Sequence, residues 1–505
     1  MRSLWCLVLA SCVAPAVPAK FADKPIVTKI DDARPIAEPA VQPYYSQLDL
    51  ADATVFDPVI DSLDRPDLVP AADTNALDEV PDSTWFTNRI GVRDLTPEEV
   101  MRGADTLGPP QLPLEIVHAK SGGGNPGFIA TDARGHKYLV KFDTPENPGQ
   151  QTATNSIVGR LFWAIGYHTP ADFIVHFKRD ELKIGPKMKG FDDHSVDALL
   201  AEATRDPDGK IRATASQLLD GVAKGGWTQL GTRSDDPNDR VPHENRRVLR
   251  GLRVFGAWLN HTDMKDDNAL DMYVGGHLEH YLVDFGEAFG GHQSEHQQLE
   301  IGFENAWDWS ANPKALFALG LWHRRWEDQR ETKWKQVGAF SAIEFDPRHW
   351  HVLYPYRPFA HADAADLYWG AKLVMRFERP LLEAAVATGE LGDPEAARDL
   401  VDVLLERRAA IGRAYLDGVT PLDQLTLANG ELCGTDLARH YGIAHDGELL
   451  VDGVAAAIGA DGRVCKALPA AAGYRVVHLQ IRRADHTTPA MELHLAGDHV
   501  VGVVR

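Results

Sequence analysis

The residues that can do chemistry in this chain fall into four pieces, in a fixed order. The first is Gly122-Gly123-Gly124-Asn125-Pro126-Gly127, which fits G-x-G-x-x-G. Glycines let backbone N–H groups approach phosphate oxygens. The run opens no helix pattern, so it is not a dinucleotide-binding fingerprint. The second is Lys141, within the strand-like Tyr138-Leu139-Val140-Lys141-Phe142. A lysine among apolar neighbours carries a charge that needs a partner, and a phosphate is one. The third is His261-Thr262-Asp263-Met264-Lys265-Asp266-Asp267-Asn268, and the fourth is Asp284-Phe285-Gly286, beginning 16 residues after Asn268. A carboxylate such as Asp263 can take or orient a hydroxyl proton. Asn and Asp oxygens are hard donors suited to Mg²⁺.

This ordered set resembles the catalytic core of the protein kinase-like superfamily, with H-x-D-x-K-x-x-N followed by D-F-G. At a distance it is similar to HipA-type and secretory-pathway kinases. The resemblance covers about residues 113–420. It implies an α+β, two-lobed kinase-like fold, with a β-rich N-lobe at about 113–220 and a helical C-lobe at about 240–420. It also implies ATP and Mg²⁺ as cofactors. Lys141 would hold the α- and β-phosphates, and Gly122, Gly124 and Gly127 would cover them. Asn268 and Asp284 would be the metal ligands, Asp263 would orient the acceptor hydroxyl and Lys265 would meet the γ-phosphate. His261 would brace the loop. The chain departs from the family pattern at three points. Residues 147–171 contain no acid to pair with the strand lysine, and Asn155 stands about where the helix glutamate belongs. Thr262 replaces the arginine of H-R-D, and no A-P-E follows the D-F-G. The same fold supports three readings. One is a phosphotransferase acting on an unidentified protein or small-molecule acceptor. Another is a pseudokinase that binds a partner, and a third is AMP transfer.

Hydrophobic periodicity supplies the elements that must carry these residues. Strands are expected at 114–119, 128–131 and 137–142, the last two joined by the Asp132-Ala133-Arg134-Gly135 turn. Ile157, Leu161 and Ile165 mark a helix over 152–165. Strands follow at 173–177 and 211–219, with a helical piece near 195–203 between them. Val248, Leu252, Phe255 and Leu259 mark a helix ending at Asn260, and a strand pair follows near 270–283. Residues 312–418 read as almost wholly helical, most clearly over 364–388 and 394–416. A small module, 421–505, ends in strands at 475–482, 491–495 and 499–504. Thr96 reads as the N-cap of a short helix at Pro97-Glu98-Glu99.

The chain has 505 residues, 52 Lys and Arg against 73 Asp and Glu, and a formal charge of −21. Such acidity argues against a nucleic-acid partner, which needs a basic face. Residues 20–82 carry 14 acidic and 5 basic residues with eight prolines, and read as an extended, acidic tether. Residues 1–19 combine Arg2, a short apolar run and Leu9-Ala10-Ser11-Cys12. They resemble a signal peptide with a lipobox, which implies lipid on Cys12 and an extracytoplasmic, membrane-anchored protein, with cleavage after Ala19 and secretion as the alternative. Contact with the membrane is then expected through the lipid anchor only. Cys433 and Cys465 remain as an even pair, a reasonable disulfide in an oxidising compartment.

Other constellations compete weakly. His292-Gln293-Ser294-Glu295-His296 fits the inverted zinc-peptidase motif H-x-x-E-H, although no third ligand follows at a suitable spacing. His349, His351 and His361 sit in an aromatic segment and read as packing. Asp235-Asp236-Pro237-Asn238-Asp239 lacks the glycine and glutamate of a calcium loop and reads as a turn before the next helix.

Overall fold

The computed structural model describes residues 19–42, 69–120, 125–186, 188, 191–201, 203–291, 298–305, 311–318, 321–330, 332–469 and 471–505. Gly122, Gly124, Cys12 and the 292–296 motif lie outside them. The chain is mixed α and β, 27% helix and 23% strand, with several separate sheets.

After α1 (Pro97–Arg102), closed by a Thr96/Glu99 capping box, come β1 (Leu114–Ala119), β2 (Gly127–Thr131) and β3 (Lys137–Lys141). Then follow α2 (Gln150–Ile165), β4 (Asp172–Phe177), β5 (Leu182–Ile184), α3 (Asp193–Ala201) and β6 (Ile211–Gln217). The strands form one sheet in the order β4-β6-β3-β2-β1-β5, antiparallel except where β1 meets β5. Strand side chains alternate between faces. Tyr138, Val140, Phe173, Val175, Ala213 and Ala215 share one apolar cluster with Val196 and Leu200 of α3. Lys141, Asp172, Thr214 and Ser216 therefore fall on the opposite face. That face meets α2, which is buried along nearly its whole length although it carries Gln150, Gln151, Thr152, Thr154, Asn155 and Ser156.

The second half begins with β7 (Val222–Ala223), a helical turn at Arg247–Arg250 and α4 (Leu252–Leu259). The single helix expected here breaks at Gly251, where the Trp369 ring leaves no room for a side chain. The antiparallel pair β8 (Ala269–Val274) and β9 (His277–Leu282) extends β7 into a three-stranded sheet. After it come α5 (Ala311–Phe317), α6 (Ala364–Met375), α7 (Arg379–Ala387) and α8 (Pro394–Tyr415). The almost wholly helical reading of 312–418 is therefore corrected. The described residues from 321 to 356 hold only 3-10 turns, and Pro347 and Pro355 cannot continue a helix. The 364–388 segment is two helices, with Pro380 opening the second. The largest core cluster joins α2, α4, α6, α7 and α8.

The last module contains β10 (Leu422–Ala428), β11 (Glu431–Asp436), β12 (Glu448–Val451), β13 (Val454–Ala457), β14 (Arg463–Ala467), β15 (Tyr474–Arg482), β16 (Met491–Ala496) and β17 (His499–Val504). They form a three-stranded and a five-stranded sheet around a separate core. Cys433 and Cys465 face each other across β11 and β14 and are joined as a disulfide.

The free-tether reading of 20–82 does not hold where these residues are described. Ile30 N–H donates to the Asp82 carbonyl at 2.7 Å, and Thr84 donates to the Asp32 carboxylate from both its backbone and its hydroxyl. Glu38 pairs with Lys224 at 2.6 Å, Glu79 pairs with Lys372, and the buried Asp73 accepts from the Arg247 N–H at 2.6 Å. Glu38 and Glu79 thus meet lysines that the body has buried, while Asp32 and Asp73 accept from Thr84 and from backbone N–H groups.

Candidate active site

Three stretches far apart in sequence converge where the six-stranded sheet meets the helical part of the molecule. Lys141 ends β3 on the face covered by α2. Its ammonium lies 2.8 Å from Asp284 Oδ1. Asp284 follows β9 with φ at +60°, a left-handed turn that ends the strand. The Lys141 side chain is largely enclosed, while half of the Asp284 side chain faces solvent. Burial would lower the Lys141 ammonium, but Asp284, with Asp172 and Glu287 behind it, holds it above its ordinary value. Burial would raise Asp284, but Lys141, Lys265 and Lys120 together hold it low.

The 261–268 loop is set by both of its ends. α4 stops at Asn260, itself left-handed at φ +47°, whose side chain accepts from Trp350 Nε1 and donates to the Ile301 carbonyl. At the other end the Val283 N–H donates to the Asn268 carbonyl at 3.0 Å, tying the loop to the residue before Asp284. Within the loop, Asn268 Nδ2 donates to the Asp263 carbonyl at 2.7 Å and to its carboxylate at 2.8 Å. Lys265 pairs with Asp263 at 2.9 Å. His261 is buried between Phe162 and Phe285, and burial pushes its imidazole down to about 4. It is a neutral packing residue, as its expected bracing role requires.

Asn155 does not meet Lys141. Its Oδ1 accepts from the Phe285 N–H at 2.8 Å, while Phe162, two turns on, stacks on the Phe285 ring with centroids 5.1 Å apart. α2 thus grips the Asp284-Phe285-Gly286 segment instead of carrying an acid to the lysine. The acid that sequence reasoning missed is Asp172. It opens β4, is buried, and accepts from the Ser216 hydroxyl, while Arg160 donates to its carbonyl at 2.8 Å. The sheet register puts it on the Lys141 face, because β6 pairs Thr214 with Lys141 and Ser216 with Asp172. Asp172 Oδ2 has no hydrogen-bond partner. A side chain at Gly159 on α2 would approach that oxygen to 3.2 Å and the Phe285 ring to 3.5 Å. Burial raises the Asp172 carboxyl to about 6, with Ser216, Lys141 and Arg160 pulling it back. A single charged residue at the start of an apolar strand, with no period to mark it, was the only signal for it in the sequence.

Gly127 pairs directly with Lys141 across β2 and β3. A Cβ there would sit 2.3 Å from the Val140 carbonyl, so the hairpin itself demands this glycine. Lys120 reaches across the same loop to the Asn125 carbonyl at 2.9 Å, and Asn125 donates to the Phe142 carbonyl and to Gln151. Gln151 lies beside Gly286, and among the described residues its Nε2, like both polar atoms of the buried Gln150, has no partner. A polar atom left orphaned near an open carboxylate, as Gln151 Nε2 is beside Gly286 and Asp284, fits a polar ligand better than an apolar one. The donor set also suits Mg²⁺, which takes one or two protein oxygens and fills its shell from water and phosphate. Asp284 supplies a half-exposed carboxylate, and the Asn268 amide oxygen is available because its nitrogen makes the loop contacts.

Among the described residues, a small cavity is lined by Asp263, Lys265, Asn268 and Phe285 of this cluster. A larger one of about 440 Å³ lies between α6 and the last module, where Lys372 is already met by Glu79 and Asp423. Among the described residues, the only group with metal-ligand spacing is Glu431, Cys433 and Cys465, whose sulfurs are bonded to each other. Asp239 in the 235–239 turn pairs with His243 and Arg246, as expected of a helix approach. Trp350, Tyr356 and Phe359 are core residues. Compared with known proteins, the sequence matches no family model and no curated protein.

Proposed function

We propose that this chain is a two-lobed, kinase-like phosphotransferase that uses ATP and Mg²⁺ outside the cytoplasm on a protein or small-molecule acceptor. The observation that supports it most is the meeting of Lys141 and Asp284 at 2.8 Å beside an Asp263 held by both Asn268 and Lys265. The Gln151 Nε2 beside Gly286, without a partner among the described residues, adds to it. Mg²⁺ supplies neutralisation of phosphate charge when bound, and Asp284 and Asn268 are the residues that would hold it. Lys141 binds the phosphate chain, and its enclosure strengthens that contact by excluding water. Asp263 orients the acceptor hydroxyl and receives its proton as the oxygen bonds to the γ-phosphorus, while the β–γ bridging bond breaks and ADP leaves with the electron pair. Asn268 and Lys265 hold the Asp263 carboxylate in one direction for that task.

A thermal-shift and label-transfer pair tests this reading. Mg-ATP should raise the melting temperature of the full chain. Asp284→Ala should lose both the shift and the transfer. Asp263→Asn should keep the shift and lose transfer by roughly 10²-fold or more. No Mg-dependent shift together with no transfer would sink the proposal. A second reading, a pseudokinase that binds nucleotide without transferring, draws on Asn155 serving Phe285 instead of Lys141. It predicts the shift without any transfer by the unaltered protein.

A further inference from the structure

Residues 311–335 differ from the rest of the chain. They hold six Lys and Arg against three Asp and Glu, a net of +3 in a protein whose total is −21, and they carry three of its twelve tryptophans. Within them the most exposed large apolar side chains of the described residues come together in sequence. Leu316 is 72% exposed, Phe317 84% and Leu321 92%, with Trp322 beside them at 37%. Scattered exposed leucines need no explanation, but four large exposed apolar groups within seven residues mark a surface.

The base of this segment is fastened. Glu304 accepts from Arg324 at 2.8 Å and from Trp326 Nε1 at 3.0 Å, Arg325 donates to the Glu344 carbonyl, and Gln329 donates to the Ile343 carbonyl. Lys314 lies 5.8 Å from the Trp322 centroid, and Arg325, Arg330 and Lys335 of the same segment are exposed, while Arg324 is compensated by Glu304. The local acids Glu327 and Asp328 are engaged by His323. An apolar tip collared by tryptophan and basic side chains matches the boundary between lipid headgroups and acyl chains. There the ring bodies and aliphatic side chains leave water, and the ammonium and guanidinium groups meet phosphate.

We infer that Leu316, Phe317, Leu321 and Trp322 form a contact site for an anionic lipid surface, separate from any acyl anchor at the N-terminus. The basic collar gives the contact its preference for negative headgroups, and the tip gives it depth. The contact would orient the body on the membrane instead of leaving it to swing on a leash.

Hydrogen exchange on the full chain tests this, because it reads each segment even if the N-terminus also binds vesicles. Vesicles of phosphatidylglycerol and phosphatidylethanolamine should slow exchange in peptides covering residues 316–317 and 321–322 by about threefold or more, and vesicles of phosphatidylcholine should not. Phe317→Ser with Leu321→Ser should abolish that protection. Both residues are exposed, so the melting temperature should stay unchanged. Absence of protection on anionic vesicles overturns the inference, and so does equal protection on phosphatidylcholine. Protection that appears only with an added protein acceptor also overturns it, assigning the tip to protein docking.

Discussion

At the residue scale, the site depends on where single charges are placed. Asp263 and Lys265 are neighbours in sequence, and the structure pairs them at 2.9 Å, where the sequence had expected Lys265 to meet the γ-phosphate. Asp284 and Lys141 are 143 residues apart, and the sequence assigned one to metal and the other to phosphate; the structure brings the two to 2.8 Å of each other. Asp172 was not legible, because nothing local distinguishes it from a strand-end acid. Its carboxyl, raised to about 6 by burial, gives a pH prediction. The group is charged above about pH 6 and neutral below it, so its support for the Lys141 ammonium fades as pH falls through 6. The KM for ATP of the unaltered protein should rise below that point. In Asp172→Asn the KM should be raised roughly tenfold and stay flat between pH 5 and 7. If the variant keeps the inflection, Asp172 is not the group responsible. The stability effect has the opposite sense. An acid whose folded value is raised loses stability for the fold as pH climbs from about 4 to 6, so above pH 6 the amide removes a cost of up to about 3 kcal/mol. Urea unfolding at pH 7.5 separates this from any effect on binding.

At the element scale, α2 and the β2–β3 hairpin position the site. The helix was predicted from Ile157, Leu161 and Ile165, but that stripe says nothing about its other face. That face lies on the polar side of the sheet, grips Phe285 through Asn155 and Phe162, and leaves room at Gly159 for Asp172. The β2–β3 hairpin was likewise predicted closely, since alternation and a turn sequence are both local signals. Gly127 then acquires a second reason beyond approach to phosphate. Gly127→Ala would drive a methyl group into the Val140 carbonyl and splay the strand that ends in Lys141. It should destabilise the fold by about 1–3 kcal/mol. It should also weaken the Mg-ATP thermal shift more than the exposed loop change Gly209→Ala does. An unchanged melting temperature and shift would show that the hairpin relaxes freely.

At the scale of the whole molecule, the parts are joined by buried ions as much as by apolar surface. Asp366 holds Arg247 at 2.9 Å and Arg250 at 3.1 Å with all three side chains enclosed. Arg483 bridges Asp417, just after α8, and Asp436, at the end of β11. The last module also has the Cys433–Cys465 bond, which closes a loop of 32 residues. On loop-closure grounds, reduction should cost that module about 3–4 kcal/mol. A reductant should therefore lower its unfolding midpoint and speed exchange across 421–505, while the Mg-ATP shift of the body persists below that midpoint. If the whole chain melts as one unit with or without reductant, the module is not an independent source of stability.

The sequence by itself determined most strands and helices, the hairpin, the α4 stop at Asn260 and the order of the chemically active residues. These follow from side-chain period, caps and turns within a few residues. Tertiary structure alone decided that residues 19–42 and 69–82 lie along the body, that 321–356 is irregular, that Asn155 serves Phe285 and that Asp172 faces the lysine. Each of these depends on which charge or face meets which across a long separation. Burial sets the strength of such contacts, and burial is a property of the assembled fold, not of any stretch of the chain.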